Sequence, residues 1–335
     1  MKMTIKDIAS RAQVSTATVS NVLTKKKYVS PELSQRVLDV IKETNYSPNT
    51  YARSLKINKS YRIGVHVPDI TNPFFSEIVK YIHEAANRGG YQIELCISND
   101  DAGEEKRLLD SFLVNGVDGV INIAPKMREE ALNEYEGMPM VIVDRPAFPA
   151  NDNMAFVYAD NFLGAEAVAS YFVKKKYRKF LCFMGSIDEI PNARKRLDGF
   201  IFGLQRGGYK KEDCRIYFGD FSFDSGYAIM EQFLATDWNR DERYAAFVGS
   251  DIMAWGAMEA LKTHKLKVPR DMGIVGYDNI YFSNFIFPKL TTVENPTKEL
   301  GIHAIHLILE AIEGNKQLAG ISKVLQASLV IRSSC

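Results

Sequence analysis

The sequence predicts a small all-α headpiece followed by a two-lobed α/β body of two doubly wound parallel sheets. Apolar residues recur at helical spacing through residues 1–47, whereas short β-branched segments alternate with amphipathic helices from residue 61 onward. The charge divides at the same place. Residues 1–60 carry eleven Lys and Arg against four Asp and Glu, a net +7, which leaves the rest of the chain at −6. This asymmetry predicts a polyanion partner for the headpiece alone.

The size and composition are those of a soluble protein with more than one domain. A chain of 335 residues suits two or three domains, and residues 48–60 are interpreted as a linker. No apolar run approaches the ~18–20 residues that a membrane span requires. The N-terminus, MKMTIKDIAS, lacks the apolar stretch of a secretory signal. We therefore expect a cytoplasmic protein with no membrane partner.

Motifs for catalysis and for metal binding are not found in the sequence. It contains no G-x-S-x-G elbow, no phosphate-binding loop and no G-x-G-x-x-G after a strand. The cysteines have neither metal-ligand nor redox spacing, and we expect Cys96 and Cys182 to be small buried hydrophobes. The five histidines are isolated from further candidate ligands: His66, His83, His264, His303 and His306. We expect no enzyme, no cofactor and no metal.

The headpiece pattern predicts a helix-turn-helix. Thr4 and Ser15 are good N-caps for a first and a second helix, and Ser30-Pro31 begins a third. A tight turn separates the first two helices, and the second helix of such a module fits the DNA major groove. A plain three-helix bundle is the alternative, but it would require neither the +7 charge nor small polar residues on an exposed second helix.

Side chains on the second helix are the candidates for reading bases. Thr16 and Ala17 can contact a thymine methyl, and Asn21 can pair with adenine through two hydrogen bonds. Lys26 is expected to contact phosphate, although the run Lys25–Lys27 alone is typical of a solvated loop. The other residues that complete the predicted DNA-binding surface of the headpiece are Thr4, Ser15, Thr18 and Tyr46.

Two strings in this region, TIKDIA from Thr4 and AQVSTATVS from Ala12, resemble the signature of the lac/gal repressor family of bacterial transcriptional regulators. The purine-responsive members have the most similar headpiece. Gln13 stands at the turn where the family often has Gly or Asn, so we expect mild backbone strain there. Many members have Arg where this chain has Asn21. The operator should therefore differ at the base read from that position.

The segment from Asn49 to Lys56 resembles the hinge helix of the family. It is only about two turns long, too short to be stable alone in water. In the family this segment orders on operator DNA, and a leucine from each subunit wedges into the minor groove. The resemblance places Leu55 in that role, with Asn49, Ala52 and Lys56 as further DNA contacts. The alternative is a linker in which Leu55 packs on the body.

The body contains eleven predicted strands, too many for one doubly wound unit, so we divide them into two lobes. Lobe 1 is expected at about 61–160 and 290–320, and lobe 2 at about 161–289 and 321–335, with a single final strand near 325–331 in lobe 2. The predicted helices lie near 74–88, 104–115, 161–175, 193–206, 223–234, 251–263 and 299–312. The resemblance implies a periplasmic-binding-protein-like sensor that holds an effector between the lobes.

Ligands of such sheets lie outside the carboxyl ends of the strands, and those ends are rich in charged and aromatic residues. Charged groups can hydrogen-bond sugar hydroxyls while aromatic faces cover the ring. The predicted effector-binding residues are Asn72, Phe74, Phe75, Asp144, Arg145, Asp160, Asn192, Arg196, Phe221, Ser250, Asp251 and Asp278. A structural ion pair or helix cap is the alternative for each charged residue, above all for Asp160 and Asp251.

The resemblance refines this set. Arg196, Phe221, Asp278 and the Ser250-Asp251 pair match effector contacts across the family, and Phe74-Phe75 match aromatic contacts of its purine-responsive members. Where those members have an arginine and a threonine for purine groups, this chain aligns Ile190 and Asn192. The departure favours a sugar or sugar derivative over a purine.

The predicted function is a sequence-specific transcriptional regulator, with a repressor expected, whose operator affinity responds to the effector. We expect a homodimer on a pseudo-palindromic operator, joined through the helix near 74–88 and the matching face of lobe 2. A transport receptor would share the sensor but would not need the headpiece, and an effector-independent architectural protein is a further alternative. Induction and corepression both remain open, and so does activation, which depends on where the operator lies.

Overall fold

The computed structural model describes residues 3–24, 27–44, 46, 59–127, 129–146 and 153–335. The chain divides into two compact units, residues 1–60 and 61–335. The division falls where the sequence predicts the start of the sensor. The helices of both units agree with the predicted positions to within a few residues.

The first unit is the predicted helix-turn-helix, with helices α1 (Ile5–Arg11), α2 (Thr16–Thr24) and α3 (Pro31–Thr44). Thr4 caps α1, since its backbone N–H donates to the Asp7 carboxylate at 2.8 Å while its hydroxyl accepts the Asp7 N–H. The three helices bury one small core, formed by Ile8, Ala9, Ala12, Val19 and Val37.

The turn between α1 and α2 has the predicted strain. Gln13 adopts a φ of 53°, in the left-handed region that costs a non-glycine residue about 1 kcal/mol. The Arg36 guanidinium donates to the Ala12 carbonyl at 2.7 Å and fixes the turn to α3. Predictions for Lys26, and for the hinge residues Asn49, Ala52, Leu55 and Lys56, lie outside the described residues.

Lobe 1 of the second unit is built on a six-stranded parallel sheet. Its strands, in spatial order, are β11 (Ser322–Leu325), β5 (Met154–Ala159), β4 (Met140–Val143), β3 (Gly119–Ile123), β1 (Arg62–Val67) and β2 (Gln92–Ile97). Helices α4 (Pro73–Arg88) and α11 (Thr297–Ile312) cover one face, α5 (Ala102–Val114) packs on the other, and α6 (Glu129–Leu132) is short. Coverage of both faces explains the uninterrupted apolar strands.

Lobe 2 repeats this strand order with one change of direction. Its strands, in spatial order, are β12 (Ser328–Val330), β10 (Thr291–Glu294), β9 (Met272–Asp278), β8 (Tyr244–Val248), β6 (Lys179–Gly185) and β7 (Cys214–Gly219). All neighbours are parallel except β12, which is antiparallel to β10. Helices α7 (Asn161–Lys174) and α8 (Pro191–Arg206) cover one face, and α9 (Phe223–Thr236) and α10 (Asp251–Thr263) cover the other.

The sheet memberships correct the predicted ends of the lobes. The single strand expected near 325–331 is two strands, since β11 pairs with β5 in lobe 1 and β12 pairs with β10 in lobe 2. In addition, β10 belongs to lobe 2 although the boundary was predicted near 290. Strands of three or four residues carry too little pattern to specify a sheet, so the partner backbone decides their membership. The chain therefore crosses between the lobes three times.

Two smaller observations complete the fold. Cys182 is buried as predicted, whereas Cys96 is only half-buried because it lies on the edge strand β2. Across the described ranges, no helix combines the length and apolar character needed to cross a membrane.

Candidate functional site

A cavity of about 390 Å³ opens between the two lobes at the carboxyl ends of their strands. Its wall contains all the predicted effector-binding residues except Asp160 and Asp251. Both lobes contribute polar groups and phenylalanine rings, so a ligand in this cavity contacts both. One hydrogen bond already joins the lobes here, from the Asn192 side-chain amide to the Asp144 carbonyl at 3.0 Å.

Arg196 is the central cation of the lobe 2 wall. It lies on α8 and is only 5% exposed, and its guanidinium uses three different acceptors. Nε donates to the Asn161 side chain at 2.7 Å, Nη1 to the Gly249 carbonyl at 2.5 Å, and Nη2 to the Asp278 carboxylate at 3.5 Å. The guanidinium also lies over the Tyr277 ring, 3.8 Å from its centroid. These contacts fix Arg196 before any ligand binds.

Asp278, at the end of β9, is the carboxyl partner of Arg196. Burial raises the pKa of Asp278 to about 8, Arg196 opposes the rise, and the charges of Asp251 and Asp144 add to it. Its φ of 109° lies in the region that side chains rarely adopt. Asp144 (φ 74°) and Phe221 (φ 66°) share this property, and such strain is typical of binding sites.

Asp144 is a buried carboxyl group of the lobe 1 wall. It follows β4, is 5% exposed, and its Oδ1 is buried. Burial raises the pKa of Asp144, whereas the charges of Arg196 and Arg145 and the side chains of Asn295 and Asn192 act to lower it. These two amide side chains lie beside the carboxyl group, so Asp144 is held within the wall.

Aromatic rings form the apolar part of the wall. Phe74 and Phe75 begin α4 with their ring centroids 5.1 Å apart. The Phe221 ring lies against Gly185 and Gly249, where an added Cβ would come within 2.4 and 2.6 Å of it, so only glycine leaves room for this ring. The apolar faces and buried polar groups together suit a ring that bears hydroxyls.

The helix-capping residues in the wall position these rings. The Asn72 side chain accepts the Phe74 N–H at 3.0 Å and caps α4. Ser250 caps α10 by accepting the Met253 N–H at 3.2 Å, and its hydroxyl donates to the Phe221 carbonyl at 3.1 Å.

Asp160 and Asp251 have structural surroundings, which is the alternative that the sequence left open for them. The Asp160 carboxylate accepts the Leu163 N–H at 3.0 Å and caps α7. Asp251 is 1% exposed, and its two oxygens accept three hydrogen bonds, from the Ile280 N–H, the Ser283 hydroxyl and the Thr292 hydroxyl. Burial raises the pKa of Asp251 to about 6 in spite of these bonds. Neither carboxylate lines the cavity, and each accepts hydrogen bonds from the residues around it.

The predicted effector-binding set leaves out three carboxylates of the wall. Asp69 accepts two hydrogen bonds from Thr71, Asp220 accepts the Ser222 N–H at 2.9 Å, and Asp100 pairs with Arg145 Nη1 at 3.3 Å. They follow β1, β7 and β2, so the strand-end rule that selected the other residues could have found them.

On the headpiece, Thr16 and Ala17 are exposed at the beginning of α2, and Asn21 is half-buried one turn later. Ser15 accepts the Thr18 N–H at 3.0 Å, and the two hydroxyls lie 2.9 Å apart. Tyr46 packs against the headpiece core. The first two turns of α2 therefore carry the side chains that the sequence assigns to base contacts, while Thr4, Ser15 and Tyr46 also support the fold.

His66 is fully buried, with Nδ1 2.6 Å from the Asn122 side-chain oxygen and Nε2 2.9 Å from the Ser98 hydroxyl, and burial lowers its pKa. In the part of the chain that the structure describes, no group of three or more His, Cys, Asp or Glu could hold a metal ion.

The chain matches two family models and several characterised relatives. Residues 4–49 match the model "Bacterial regulatory proteins, lacI family", and residues 169–335 match "Periplasmic binding protein-like domain". The ribose operon repressor of Escherichia coli K12 is 34% identical over 92% of this chain and 93% of its own. The HTH-type transcriptional repressor PurR of Histophilus somni strain 2336 is also 34% identical, over 99% of this chain and 98% of its own.

Solved structures agree with these matches. The lac repressor dimer bound to operator and an anti-inducer has a TM-score of 0.86 at 24% identity, covering 100% of this chain and 99% of that one. A LacI family regulator from Enterococcus faecium with bound ribose has a TM-score of 0.71 at 27% identity, covering 82% of this chain and 98% of that one. The headpiece and the two-lobed sensor therefore form a fold that known regulators share.

Proposed function

We propose that this chain, which belongs to the lacI family of bacterial regulatory proteins, is a repressor controlled by a small sugar bound between the lobes of its sensor. Family membership makes it a DNA-binding transcriptional regulator. We assign it no catalytic activity and a cytoplasmic location, where its operator lies. The relatives include both a ribose repressor and PurR at equal identity, so relatedness alone does not choose the effector.

The lining of one cavity by carboxyl groups, the Arg196 guanidinium and phenylalanine rings carries the sugar proposal. A sugar supplies both hydroxyl groups for the polar side chains and an apolar ring face for the phenylalanine rings. Ile190 in the wall supports the same choice, because it offers no hydrogen bond where the purine-responsive resemblance implies an arginine. The ribose in the Enterococcus faecium structure is consistent with a ligand of this size class.

A calorimetric screen of pentoses, hexoses, disaccharides and purines tests the effector. We expect one sugar class to bind, with affinity reduced at least about 100-fold in Arg196→Ala because charge-assisted hydrogen bonds are lost. Arg194→Ala is the matched control, since Arg194 lies on the same helix but is half-exposed and pairs with Asp188. A purine hit, or a sugar whose affinity survives Arg196→Ala, would contradict the proposal.

The same framework predicts how DNA is read. Asn21→Ala should cost about 1–3 kcal/mol at one operator position and leave the other positions unchanged, because one base contact is lost. Titration of single-base operator variants by fluorescence anisotropy measures this effect. A uniform loss across all variants would instead place Asn21 on the phosphate backbone.

We further propose that the active species is a homodimer. Lobe 2 exposes a group of aromatic side chains that we call the aromatic surface: Trp255, Tyr281, Phe282, Phe285 and Phe287. The Tyr281 ring centroid lies 5.8 Å from that of Phe282 and 4.7 Å from that of Phe285, and exposed apolar groups that adjoin in this way mark association sites. Four of these side chains lie on the loop of residues 279–287, and hydrogen bonds hold this loop in place. Asp251 accepts bonds from Ile280 and Ser283. Arg332 donates to Asn279 and Asn284. Together with α4 in lobe 1, this surface is the proposed contact between two copies.

Light scattering of single variants tests the dimer. Phe285→Asp should shift the protein to monomer and weaken binding to a two-half-site operator. Phe218→Asp is the control, because Phe218 is a similarly exposed phenylalanine on the strand β7, away from the aromatic surface. A wild type that is monomeric, or a dimer unaffected by Phe285→Asp, would contradict the assignment.

A further inference from the structure

The charges that line the cavity are unbalanced. Two guanidinium groups, Arg145 and Arg196, face five carboxyl groups; Asp278 keeps its proton up to about pH 8, so the excess of negative charge lies in lobe 1. The carboxyl groups are Asp69, Asp100 and Asp144 from lobe 1 and Asp220 and Asp278 from lobe 2. A cavity with this balance repels an anionic ligand.

Both guanidinium groups already pair with a carboxyl group of the wall. Arg196 Nη2 lies 3.5 Å from the Asp278 carboxyl group. Arg145 Nη1 lies 3.3 Å from the Asp100 carboxylate, and the Lys126 ammonium lies 3.3 Å from the same carboxylate. A phosphate that approached either guanidinium would therefore also approach the carboxyl group paired with it.

Three helix N-termini in the cavity wall are capped by side chains, whereas α8, which begins between the wall residues Ile190 and Asn192, has no side-chain cap. Such termini are ready sites for phosphate because their first N–H groups have no partner within the helix. Here the Asn72 side chain takes the Phe74 N–H of α4, Ser222 takes the Ser225 N–H of α9, and Ser250 takes the Met253 N–H of α10. These caps leave fewer free donors for an anion.

What the wall offers instead are acceptors. Asp69 and Asp220 lie in the wall on opposite lobes, each fixed by hydrogen bonds from its own loop. Although burial acts to raise the pKa of Asp220, hydrogen bonds from Ser222 and Ser225 outweigh it, so that this pKa is lowered. Hydroxyl groups can donate to these oxygens, whereas a phosphate dianion has no proton to donate.

We infer that the effector is an unphosphorylated sugar without negative charge, and that Asp69 and Asp220 determine this specificity by repelling phosphate esters of the same sugar. The inference rests on the proposed function, since it selects among sugars. A regulator with this property distinguishes a free sugar from the product of its phosphorylation.

Calorimetry with matched pairs tests the inference on the full-length protein. The probes are D-ribose and ribose 5-phosphate, D-fructose and fructose 6-phosphate, and D-glucose and glucose 6-phosphate. In the pair that binds, we expect the ester to be at least about 30-fold weaker, the effect of one like charge about 8 Å away at an effective dielectric of 20. The difference should narrow as salt is added, because screening weakens the repulsion.

The double variant Asp69→Asn/Asp220→Asn assigns the effect to residues. It should tighten the ester at least about 10-fold and leave the free sugar within about 3-fold, since amides keep the size and remove the charge. Glu84→Gln/Asp224→Asn is the control, with one exposed carboxylate per lobe removed outside the cavity wall. Circular dichroism of both variants verifies folding.

Three results would overturn the inference in distinguishable ways. If an ester binds the wild type as tightly as its free sugar, the inferred selection by charge is wrong, while the proposed control by a sugar still stands. A preference that persists unchanged in the double variant removes Asp69 and Asp220 as its cause. Failure of every free sugar and ester to bind the wild type removes both the inference and the proposed sugar effector.

Discussion

The two lobes of the sensor repeat one backbone plan and fill it with different chemistry. Asp144 after β4 and Asp278 at the end of β9 occupy equivalent strands, and both have positive φ. Asp100 after β2 and Phe221 after β7 are likewise equivalent, with φ of 56° and 66°. The topology therefore fixes the conformation of each strand end. The residue placed there decides whether the wall is charged or aromatic.

The lobes also differ in how their ion pairs meet water. In lobe 2 the Arg196 and Asp278 side chains are 6% and 8% exposed, and the pair is enclosed by further hydrogen bonds. In lobe 1 Arg145 pairs with an Asp100 side chain that is 45% exposed. A buried pair is costly to break, whereas an exposed pair contributes little. Lobe 2 is thus a preformed half of the site, and lobe 1 is the adaptable half.

The largest expected difference concerns stability. Arg196→Ala should lower the free energy of unfolding by about 3 kcal/mol or more, because the buried acceptors of Asn161, Gly249 and Asp278 lose their donor at about 1–3 kcal/mol each. Arg145→Ala should lower it by no more than about 1 kcal/mol. Urea unfolding followed by circular dichroism compares them. Because Arg196 is buried, its removal affects folding as well as ligand binding. Equal losses in the two variants would contradict the contrast between the lobes.

A second difference appears in the pH dependence of stability. Asp278 keeps its proton in the folded state up to about pH 8, while the unfolded carboxyl loses it near 3.8. Since the folded state binds more protons between these values, stability falls as pH rises through this window. Asp278→Asn should remove this contribution to the fall of stability with pH, whereas Asp100→Asn in lobe 1 should leave the pH dependence unchanged. Thermal unfolding from pH 5 to 8.5 measures both, and an unchanged slope in Asp278→Asn would refute the assignment.

The smallest expected effect lies where the lobes meet. Asn192→Ala removes the hydrogen bond to the Asp144 carbonyl, which is worth about 0.5–1.5 kcal/mol. We expect effector affinity to fall by about 2- to 10-fold, because the closed arrangement is less populated. Calorimetry with the sugar found in the screen gives the value, and Asn87→Ala on the exposed side of α4 is the control. A tighter effector in Asn192→Ala would mean that this bond opposes closure.

Some of the site followed from the sequence because its signals are local. Thr4, Ser15 and Pro31 mark helix starts within one turn of themselves, and Gln13 takes the left-handed turn that the spacing of α1 and α2 requires. The polar residues after parallel strands meet at one edge of a sheet, which is why Arg196, Asp278 and most of the predicted set line one cavity.

Other features were decided only by the tertiary structure. The residues near 325–331 alternate like one strand, but β11 and β12 find partners in different lobes, and three or four residues cannot encode that choice. Asp251 and Asp278 both lie near strand ends, yet Thr292 and Ser283 surround Asp251 while Asp278 meets Arg196. Periodicity and capping act over a few residues and can be read along the chain. Which carboxylate is used up by its neighbours depends on contacts between segments more than thirty residues apart, and only folding brings these together.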